Sequence, residues 1–359
     1  MNAISRDAIE IAPPNIALTF ARARIEGAIQ LLAVGRYARD EITAFNLTRA
    51  LGAGAGDPIA LFNEKGYDAL QLAIAAGLQH SPVNVRTNDL LLPVDLREAH
   101  VAVGTNFAEH AEESSVDDGP FLFAKLVKPT PSRAPVSARG RLLDYEVELA
   151  FVTLEDASLP GIPRYMGLIL ANDFTDRATL LHHVNPADVT SGEGFTTGKS
   201  AEGFLPVGNL FVIPRDVERF TRDIDLRLAV NGETRQQGAM TLAIWDLPEL
   251  LRQTLALEGK RWAHAGAEVS LPIAHGALPA RTMILAGTPA GTIFNGMPRR
   301  VMAAGLLRWL AGGWDKPLAR RVIEKYIDAS RTKRLYLQPG DEVRIEVDRL
   351  GAIITPIVE

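Results

Sequence analysis

Short apolar runs, continuous or alternating with polar residues, dominate the chain after His100 and predict many short strands. Turn residues separate the runs, and Asn231-Gly232 is a pair typical of a tight hairpin turn. Strand length and periodicity are clearest at 101–106, 146–153, 167–172, 224–230, 282–286, 342–347 and 352–357. The pattern predicts a β-rich α+β domain over residues 91–359.

Residues 1–90 have a different pattern and predict a separate, smaller unit of unknown role. Helical periodicity covers 17–34 and 67–76, with a Gly-rich turn at 52–56 between them. The sequence therefore predicts a mainly helical N-terminal unit.

Helical periodicity returns in two places inside the strand-rich part. Asp246, with Glu249 three residues later, suits the start of a helix. Residues 297–332 form a longer helical stretch that is broken at Gly312-Gly313. We interpret this second stretch as a helical insertion before the last strands.

Composition narrows the classes of function. The chain has 359 residues, a formal net charge of −5 and no block of Lys and Arg, which argues against nucleic-acid and anionic-membrane partners. The absence of Cys excludes disulfides, iron–sulfur clusters and a Cys nucleophile. No apolar stretch has the length of a membrane span, so we expect a cytoplasmic protein.

Two acidic residues, Glu146 and Glu148, lie two positions apart in a strand-like run. Residues spaced by two point to the same face of a strand, so the two carboxylates would lie side by side. Burying them together is unfavourable without a cation between them. Oxygen ligands favour Mg²⁺, Mn²⁺ or Ca²⁺ over zinc. The alternative is a solvent-exposed strand face that carries two acids.

Two further patterns suit acid–base chemistry and ion binding. His110 and Glu113 are three apart, so on a helix they share a face, and a carboxylate beside an imidazole suits a general base acting on water. Residues 114–119 follow as a candidate lid, with an ordinary surface loop as the alternative. Asp173 ends an apolar run and suits a third metal ligand or a helix N-cap, while Arg177 could face a substrate carboxylate.

Two Gly-flanked segments could contact an anionic substrate. Gly194 to Ser200 lacks the glycine spacing of a phosphate-binding loop, but Lys199 within it could be a fixed cation. Thr288, between Gly287 and Pro289, offers a hydroxyl and a backbone N–H to an oxyanion, although such a segment can also be a simple turn.

Read in order, the motifs of the chain resemble the fumarylacetoacetate hydrolase family over roughly residues 90–359. The resemblance rests on Asn106-Phe107-x-x-His110-x-x-Glu113, Phe123-Ala124-Lys125, Asp144-Tyr145-Glu146-x-Glu148, Ala171-Asn172-Asp173 with Arg177, Gly198-Lys199-Ser200, Asn231-Gly232-Glu233 and Gly287-Thr288-Pro289-Ala290-Gly291.

The resemblance implies a mixed β-sandwich or roll and an Mg²⁺, Mn²⁺ or Ca²⁺ ion held by three carboxylates. It also implies a water-activating dyad, substrate contacts and a homodimer. The residues concerned are Glu146, Glu148 and Asp173 for the metal, His110, Glu113 and Lys199 for catalysis, and Phe107, Arg177 and Thr288 for the substrate.

The implied reaction is hydrolysis of a C–C bond in an acylpyruvate-like diketo acid. Several positions depart from the family pattern: Phe107 replaces a usual Tyr, Ala178 and Leu180 stand where Asp and Gln are common, and Gly208-Asn209 replaces a usual Gly-Pro. Decarboxylation or isomerisation of a 2-oxo acid and dehydration of a 2-keto-3-deoxy sugar acid use the same metal site and remain alternatives, as does a non-catalytic binding protein.

Overall fold

The computed structural model describes residues 8–52, 56–114, 119–310, 312 and 314–359. The strands in these residues are β1 (Ala8–Ile9), β2 (Ala17–Ile25), β3 (Ala28–Ala38), β4 (Glu41–Asn46), β5 (Pro82–Arg86), β6 (Ala99–Gly104), β7 (Phe121–Leu126), β8 (Val136–Ser137), β9 (Leu143–Asp144), β10 (Val147–Thr153), β11 (Ala157–Ser158), β12 (Met166–Asn172), β13 (Thr175–Asp176), β14 (Phe211–Pro214), β15 (Asp225–Val230), β16 (Glu233–Ala239), β17 (Arg261–His264), β18 (Ala267–Ser270), β19 (Ala277–Leu278), β20 (Met283–Leu285), β21 (Glu342–Val347) and β22 (Gly351–Val358).

The same residues also contain α-helices, several of which pack on the large sheet or on each other. They are α1 (Leu47–Leu51), α2 (Pro58–Lys65), α3 (Tyr67–His80), α4 (Ala108–Ser114), α5 (Arg177–His183), α6 (Phe195–Lys199), α7 (Val217–Arg222), α8 (Leu247–Ala256), α9 (Arg299–Leu310) and α10 (Leu318–Lys333). Within the described chain, no helix is both long and apolar enough to cross a bilayer.

A large mixed sheet forms the centre of the fold. Its strand order is β5-β4-β3-β2-β14-β12-β10-β20-β6-β7, with β1 beside β3. Neighbouring strands are antiparallel except β20 and β6, which run parallel. A second sheet has the order β16-β15-β21-β22-β8, and three two-stranded ladders lie around these two sheets.

The large sheet is buried on both faces, as β10 shows. Val147, Leu149 and Phe151 point into a core that also contains the apolar residues of β15, β21 and β22. Ala150 and Val152 point into a second core, which α2 and α3 cover. This sheet-on-sheet packing with helices on the outer face confirms the predicted strand-rich, sandwich-like fold.

The predicted helix at 17–34 is wrong, because this segment forms β2 and β3. The two strands are joined at Glu26-Gly27, whose φ angles of 52° and 82° make the tight turn. All residues from Ala17 to Ala23 are buried, so the segment lacks the alternation that marks a half-exposed strand. The N-terminal residues are therefore a mixture of strands and helices, whereas the predicted helix at 67–76 is confirmed as α3.

The N-terminal strands continue the central sheet. Strand β2 pairs with β14 from Ala17 to Phe20, in antiparallel register with Phe211 to Pro214. Arg22 in β2 makes a bidentate ion pair with Asp95, with N–O distances of 2.8 and 3.0 Å. The division into units at residue 90 stays a prediction, and residues 53–55 of the Gly-rich turn lie outside the described residues.

The helical stretch predicted at 297–332 forms α9 and α10, which pack against each other as a hairpin. That this hairpin is an insertion before the last strands stays a prediction. Gly305 in α9 allows the close approach, since a Cβ there would lie 2.7 Å from Val322 Cγ2. Helix α10 packs on α5 through Ile323, Tyr326 and Ile327. Arg320 donates hydrogen bonds to the carbonyls of residues 181, 182 and 184 at the end of α5, which fixes the hairpin over that helix.

Candidate active site

The antiparallel pairing of β10 and β12 brings the predicted metal ligands together. Val147 pairs with Asn172, so Glu146 and Asp173 leave the two strands directly opposite each other. The Asp173 N–H donates to the Glu146 carbonyl at 2.9 Å, and the Asn172 side chain accepts from the Glu146 N–H at 3.0 Å. Strand pairing thus places both residues, and the buried Asn172 amide also holds the backbone of Glu146.

Glu146, Glu148 and Asp173 form a buried carboxylate cluster. One oxygen from each lies within 4.8 Å of the others, and each of the three residues is at most 5% exposed. The solvent-exposed alternative for the two glutamates is therefore wrong. The predicted N-cap role belongs to Asp176, whose side chain accepts from the Ala178 N–H at the start of α5.

Two cations pair with Glu146 at the edge of the cluster. Lys199 Nζ lies 2.7 Å from Glu146 Oε2 and 2.8 Å from Asp173 Oδ2. Arg177 donates to Glu146 Oε1 at 2.6 Å and to Asp144 Oδ2 at 2.8 Å. Burial alone would raise the pKa of Glu146, but Lys199 and Arg177 lower it to about 2, so this carboxylate is ionised at neutral pH.

Lys199 and Arg177 are positioned by the helices that carry them, α6 and α5. Lys199 is the last residue of α6, which is anchored because the Phe195 ring packs 4.8 Å from Phe121 and 5.3 Å from Phe123. Arg177 is the first residue of α5. Burial lowers the pKa of Lys199, but the charges of Asp173 and Glu146 outweigh it and raise the pKa overall. Both residues are therefore fixed cations.

Lys125 is a site residue that the sequence reasoning did not assign, although it belongs to a motif of the resemblance. Its ammonium is fully buried and donates to Asp173 Oδ1, to the Lys199 carbonyl and to the Phe204 carbonyl. Burial lowers its pKa, and the Asp173 charge opposes that shift. The signal for such a role was a Lys inside the apolar strand β7, because a buried Lys needs a carboxylate partner.

Glu148 carries the charge that the protein does not balance. It accepts a hydrogen bond from the Gly287 N–H at 2.7 Å, and no ion pair to it occurs among the described residues. Burial and the negative charges of Asp173 and Glu146 raise its pKa well above the ordinary value. Four buried carboxylates, with Asp144 counted, face three cations, Lys125, Arg177 and Lys199.

This donor set fits a hard divalent cation. Carboxylate oxygens are the ligands that such ions prefer, and each oxygen can accept a hydrogen bond and still bind a metal. A cation beside Glu148 would balance the excess negative charge. Glu146, Glu148 and Asp173 are therefore the residues that would hold it.

The His110–Glu113 pair lies on α4, as predicted. His110 Nδ1 is 3.8 Å from Glu113 Oε2, longer than a hydrogen bond but within ion-pair range. The pKa of Glu113 is lowered, mainly by the His110 ring and further by the Gly291 N–H, although burial opposes this shift. Asn106 fixes the start of the helix by bonding the carbonyls of Trp245 and Ala286.

The segment 287–291 contacts both the carboxylate cluster and the dyad. Its first and last N–H groups donate to Glu148 and Glu113. Between them, Thr288 Oγ1 accepts from the Gln236 side chain at 2.8 Å, which leaves the Thr288 hydroxyl proton for another acceptor. Gln236 is a second residue that sequence reasoning missed, and its strand, β16, showed no local signal.

A cavity of about 610 Å³ joins these groups. His110, Glu146, Arg177, Lys199 and Thr288 all line it. Glu148, Asp173 and Phe107 are not among the described lining residues, and Phe107 is buried in the core. The substrate contact expected at Phe107 has no support from this geometry, and residues 115–118 of the predicted lid lie outside the described residues.

Comparison with known proteins gives a family match over most of the chain. The family model of the fumarylacetoacetate (FAA) hydrolase C-terminal region matches residues 99–358. The mitochondrial oxaloacetate tautomerase fahd2 of Xenopus laevis is 26% identical in an alignment of 311 residues that covers 83% of this chain and 77% of the relative. A 2,4-didehydro-3-deoxy-L-rhamnonate hydrolase of a Sphingomonas species is 27% identical over 201 residues, or 54% of this chain and 64% of the relative.

A solved structure agrees with the fold. A fumarylacetoacetate hydrolase from Exiguobacterium antarcticum superposes with a TM-score of 0.59 and 19% sequence identity, covering 95% of this chain and 99% of the other. At that identity the likeness concerns the fold alone. The coverage includes the N-terminal residues as well as the strand-rich part.

Proposed function

The chain belongs to the fumarylacetoacetate hydrolase family, and we propose that it is a divalent-metal-dependent hydrolase that cleaves a C–C bond of an acylpyruvate-type diketo acid. One observation carries the proposal: His110 lines the same cavity as Glu146 and Lys199, and Glu113 lies 3.8 Å from the His110 ring. A water base thus lies beside the carboxylates that would hold the metal, which is the combination that hydrolysis needs.

The residues divide the chemistry between them. A bound metal would bind the 2-oxo acid end of the substrate and stabilise negative charge on its oxygens. His110, oriented by Glu113, takes a proton from water. The resulting hydroxide adds to the distal carbonyl carbon, and the C–C bond breaks with its electron pair going to the methylene carbon of the pyruvate part.

The remaining steps need hydrogen-bond donors for the oxyanion and one proton for the methylene carbon. Lys199 and the Thr288 hydroxyl can donate to the oxyanion that forms on the attacked carbonyl. The proton that His110 accepted can return to the methylene carbon, so that the products are a carboxylic acid and pyruvate. Atoms balance with one water consumed.

The test is pyruvate release from a panel of acylpyruvates, with Mg²⁺ and with EDTA. We expect Mg²⁺-dependent pyruvate release in step with loss of the diketo absorbance. His110→Gln and Glu113→Gln should lower kcat by about 10²- to 10⁴-fold, the usual contribution of a general base. Glu109→Gln, on the exposed side of the same helix, is the matched control and should keep full activity.

A second candidate, tautomerisation of a 2-oxo acid, is favoured by the coverage of the Xenopus laevis relative, which is named an oxaloacetate tautomerase and matches 83% of this chain. This reaction moves a proton between carbon and oxygen and needs no attack by water. Enol–keto conversion of oxaloacetate, without pyruvate release from any acylpyruvate, would support this candidate and contradict the hydrolase.

A further inference from the structure

The hairpin of α9 and α10 forms an apolar wall of the active-site cavity. Seven residues of the two helices line the cavity, and in the described part of the hairpin every lining residue is apolar. They include Met302 and Leu306 of α9 and Leu318, Val322 and Ile323 of α10. An enzyme for a small, doubly charged diketo acid has no need for a wall of this kind.

The part of the cavity lined by α5 and the residue after it is also apolar beyond Arg177. Arg177 at the start of α5 faces the carboxylate cluster, but Leu180, Leu181 and Val184 further along line the cavity with side chains that cannot hydrogen-bond. The cavity thus has two regions, one lined by charged groups and one lined by α5 and the hairpin.

The two regions predict a substrate with an oxygen-rich end and an apolar end. The polar region offers Lys199, His110 and Thr288 to an oxygen-rich group. A second polar or charged group placed against the hairpin would lose its hydration without gaining a partner, which is costly. An apolar group there would be stabilised by leaving water. At about 610 Å³, the cavity has the size that holds a drug-sized ligand, well above that of pyruvate.

We propose that the substrate carries an extended apolar group, an alkyl chain or aromatic ring, and that this group binds between α5 and the α9–α10 hairpin. This inference deepens the proposed function, since it assumes that the 2-oxo acid end occupies the polar region. It makes Leu306, Val322 and their neighbours the residues that determine chain-length specificity.

The hairpin offers a matched pair of residues for the test. Leu306 lines the cavity and is 42% exposed, whereas the next residue, Leu307, is 67% exposed and is not among the lining residues. Both side chains are partly exposed, so a Gln at either position can reach water. Leu306→Gln alters the apolar region, and Leu307→Gln is the control for a polar change in the same helix.

The experiment measures equilibrium binding of unbranched 2-oxo acids, from pyruvate to 2-oxodecanoate, to the Mn²⁺-loaded protein by calorimetry. These acids lack the second carbonyl, so binding is measured without C–C cleavage. We expect affinity to rise about fourfold per methylene in the wild type and in Leu307→Gln, in line with the transfer of methylenes from water. Leu306→Gln should reduce the total gain at least tenfold.

The outcomes separate this inference from the proposed function. Equal affinity along the series would overturn the apolar-substrate inference, even if short acylpyruvates are hydrolysed. If affinity increases with chain length in the wild type and both Leu306→Gln and Leu307→Gln lose this increase equally, the effect lies on the outer face of the hairpin. That result would also overturn the apolar-substrate inference. If only Leu306→Gln loses the increase of affinity with chain length and no acylpyruvate is hydrolysed, the apolar-substrate inference is supported and the hydrolase function is refuted.

Discussion

At the scale of single residues, the site depends on an excess of buried negative charge. Lys125, Lys199 and Arg177 compensate Asp173, Glu146 and Asp144, while Glu148 has a single backbone N–H. Removing one partner from such a network leaves an uncompensated charge, which is strongly destabilising. The metal-free protein is therefore strained electrostatically at Glu148, and cation binding would relieve that strain.

Replacing Glu148 by Gln should stabilise the metal-free protein. Because the pKa of Glu148 is raised from its ordinary value near 4.5, its contribution to stability is present below that value and is lost as pH rises through the native pKa. In EDTA at pH 8, Glu148→Gln should therefore raise the free energy of unfolding by about 1 kcal/mol or more. Thermal unfolding at pH 5.5 and 8 measures the difference.

The same variant tests metal binding at this carboxylate. Added Mn²⁺ should raise the Tm of the wild type and of the exposed control Glu155→Gln, but not that of Glu148→Gln. Equal stabilisation of all three proteins by Mn²⁺ would show that Glu148 is not a ligand.

At the scale of elements, the segment after β20 links the carboxylate cluster to the dyad. Gly291 has φ of 106°, and a Cβ there would lie 2.0 Å from the Arg235 carbonyl oxygen. Its N–H donates to Glu113, and its carbonyl accepts from the Tyr145 hydroxyl. A side chain at this position would move the segment away from both groups.

Gly291→Ala should therefore impair catalysis. We expect kcat to fall on the order of 100-fold, because a shift of about 1 Å in a positioned group has that effect. Gly259→Ala is the control, since Gly259 also has a positive φ, of 80°, but no atom lies within 4 Å of an added Cβ. Similar kcat values for the two variants would rule out a positioning role for Gly291.

At the scale of the whole molecule, the N-terminal strands complete the central sheet. β2 covers the edge of β14, and α2 and α3 cover the core that includes Ala150 and Val152 next to Glu148. The site strand β10 is thus supported from a part of the chain outside the region that the family model matches. The homodimer implied by the resemblance stays a prediction.

A chain that begins at residue 91 should be insoluble when produced alone. Its β14 edge and the core face under α2 and α3 would be exposed, and such an edge pairs with other chains. Soluble yield and cooperative thermal unfolding measure this, and co-expression of residues 1–90 should restore solubility. A soluble, cooperatively folded fragment would instead support the predicted separate unit at 1–90.

The sequence by itself determined the short-range features of this protein. The spacing of Glu146 and Glu148, the i, i+3 pair of His110 and Glu113, the Asn231-Gly232 turn and the helical stretch at 297–332 follow from local periodicity, which the backbone geometry of strands and helices enforces. The order of the motifs identified the family, which the comparison confirmed.

Only the tertiary structure decided the features that depend on distant partners. The segment 17–34 reads as helical because strands buried on both faces lose their alternation, and burial comes from distant parts of the chain. Lys125 and Gln236 entered the site through partners 48 and 52 residues away. The excess charge at Glu148 and the apolar wall of the hairpin likewise arise from residues of several elements, whose proximity local periodicity does not encode.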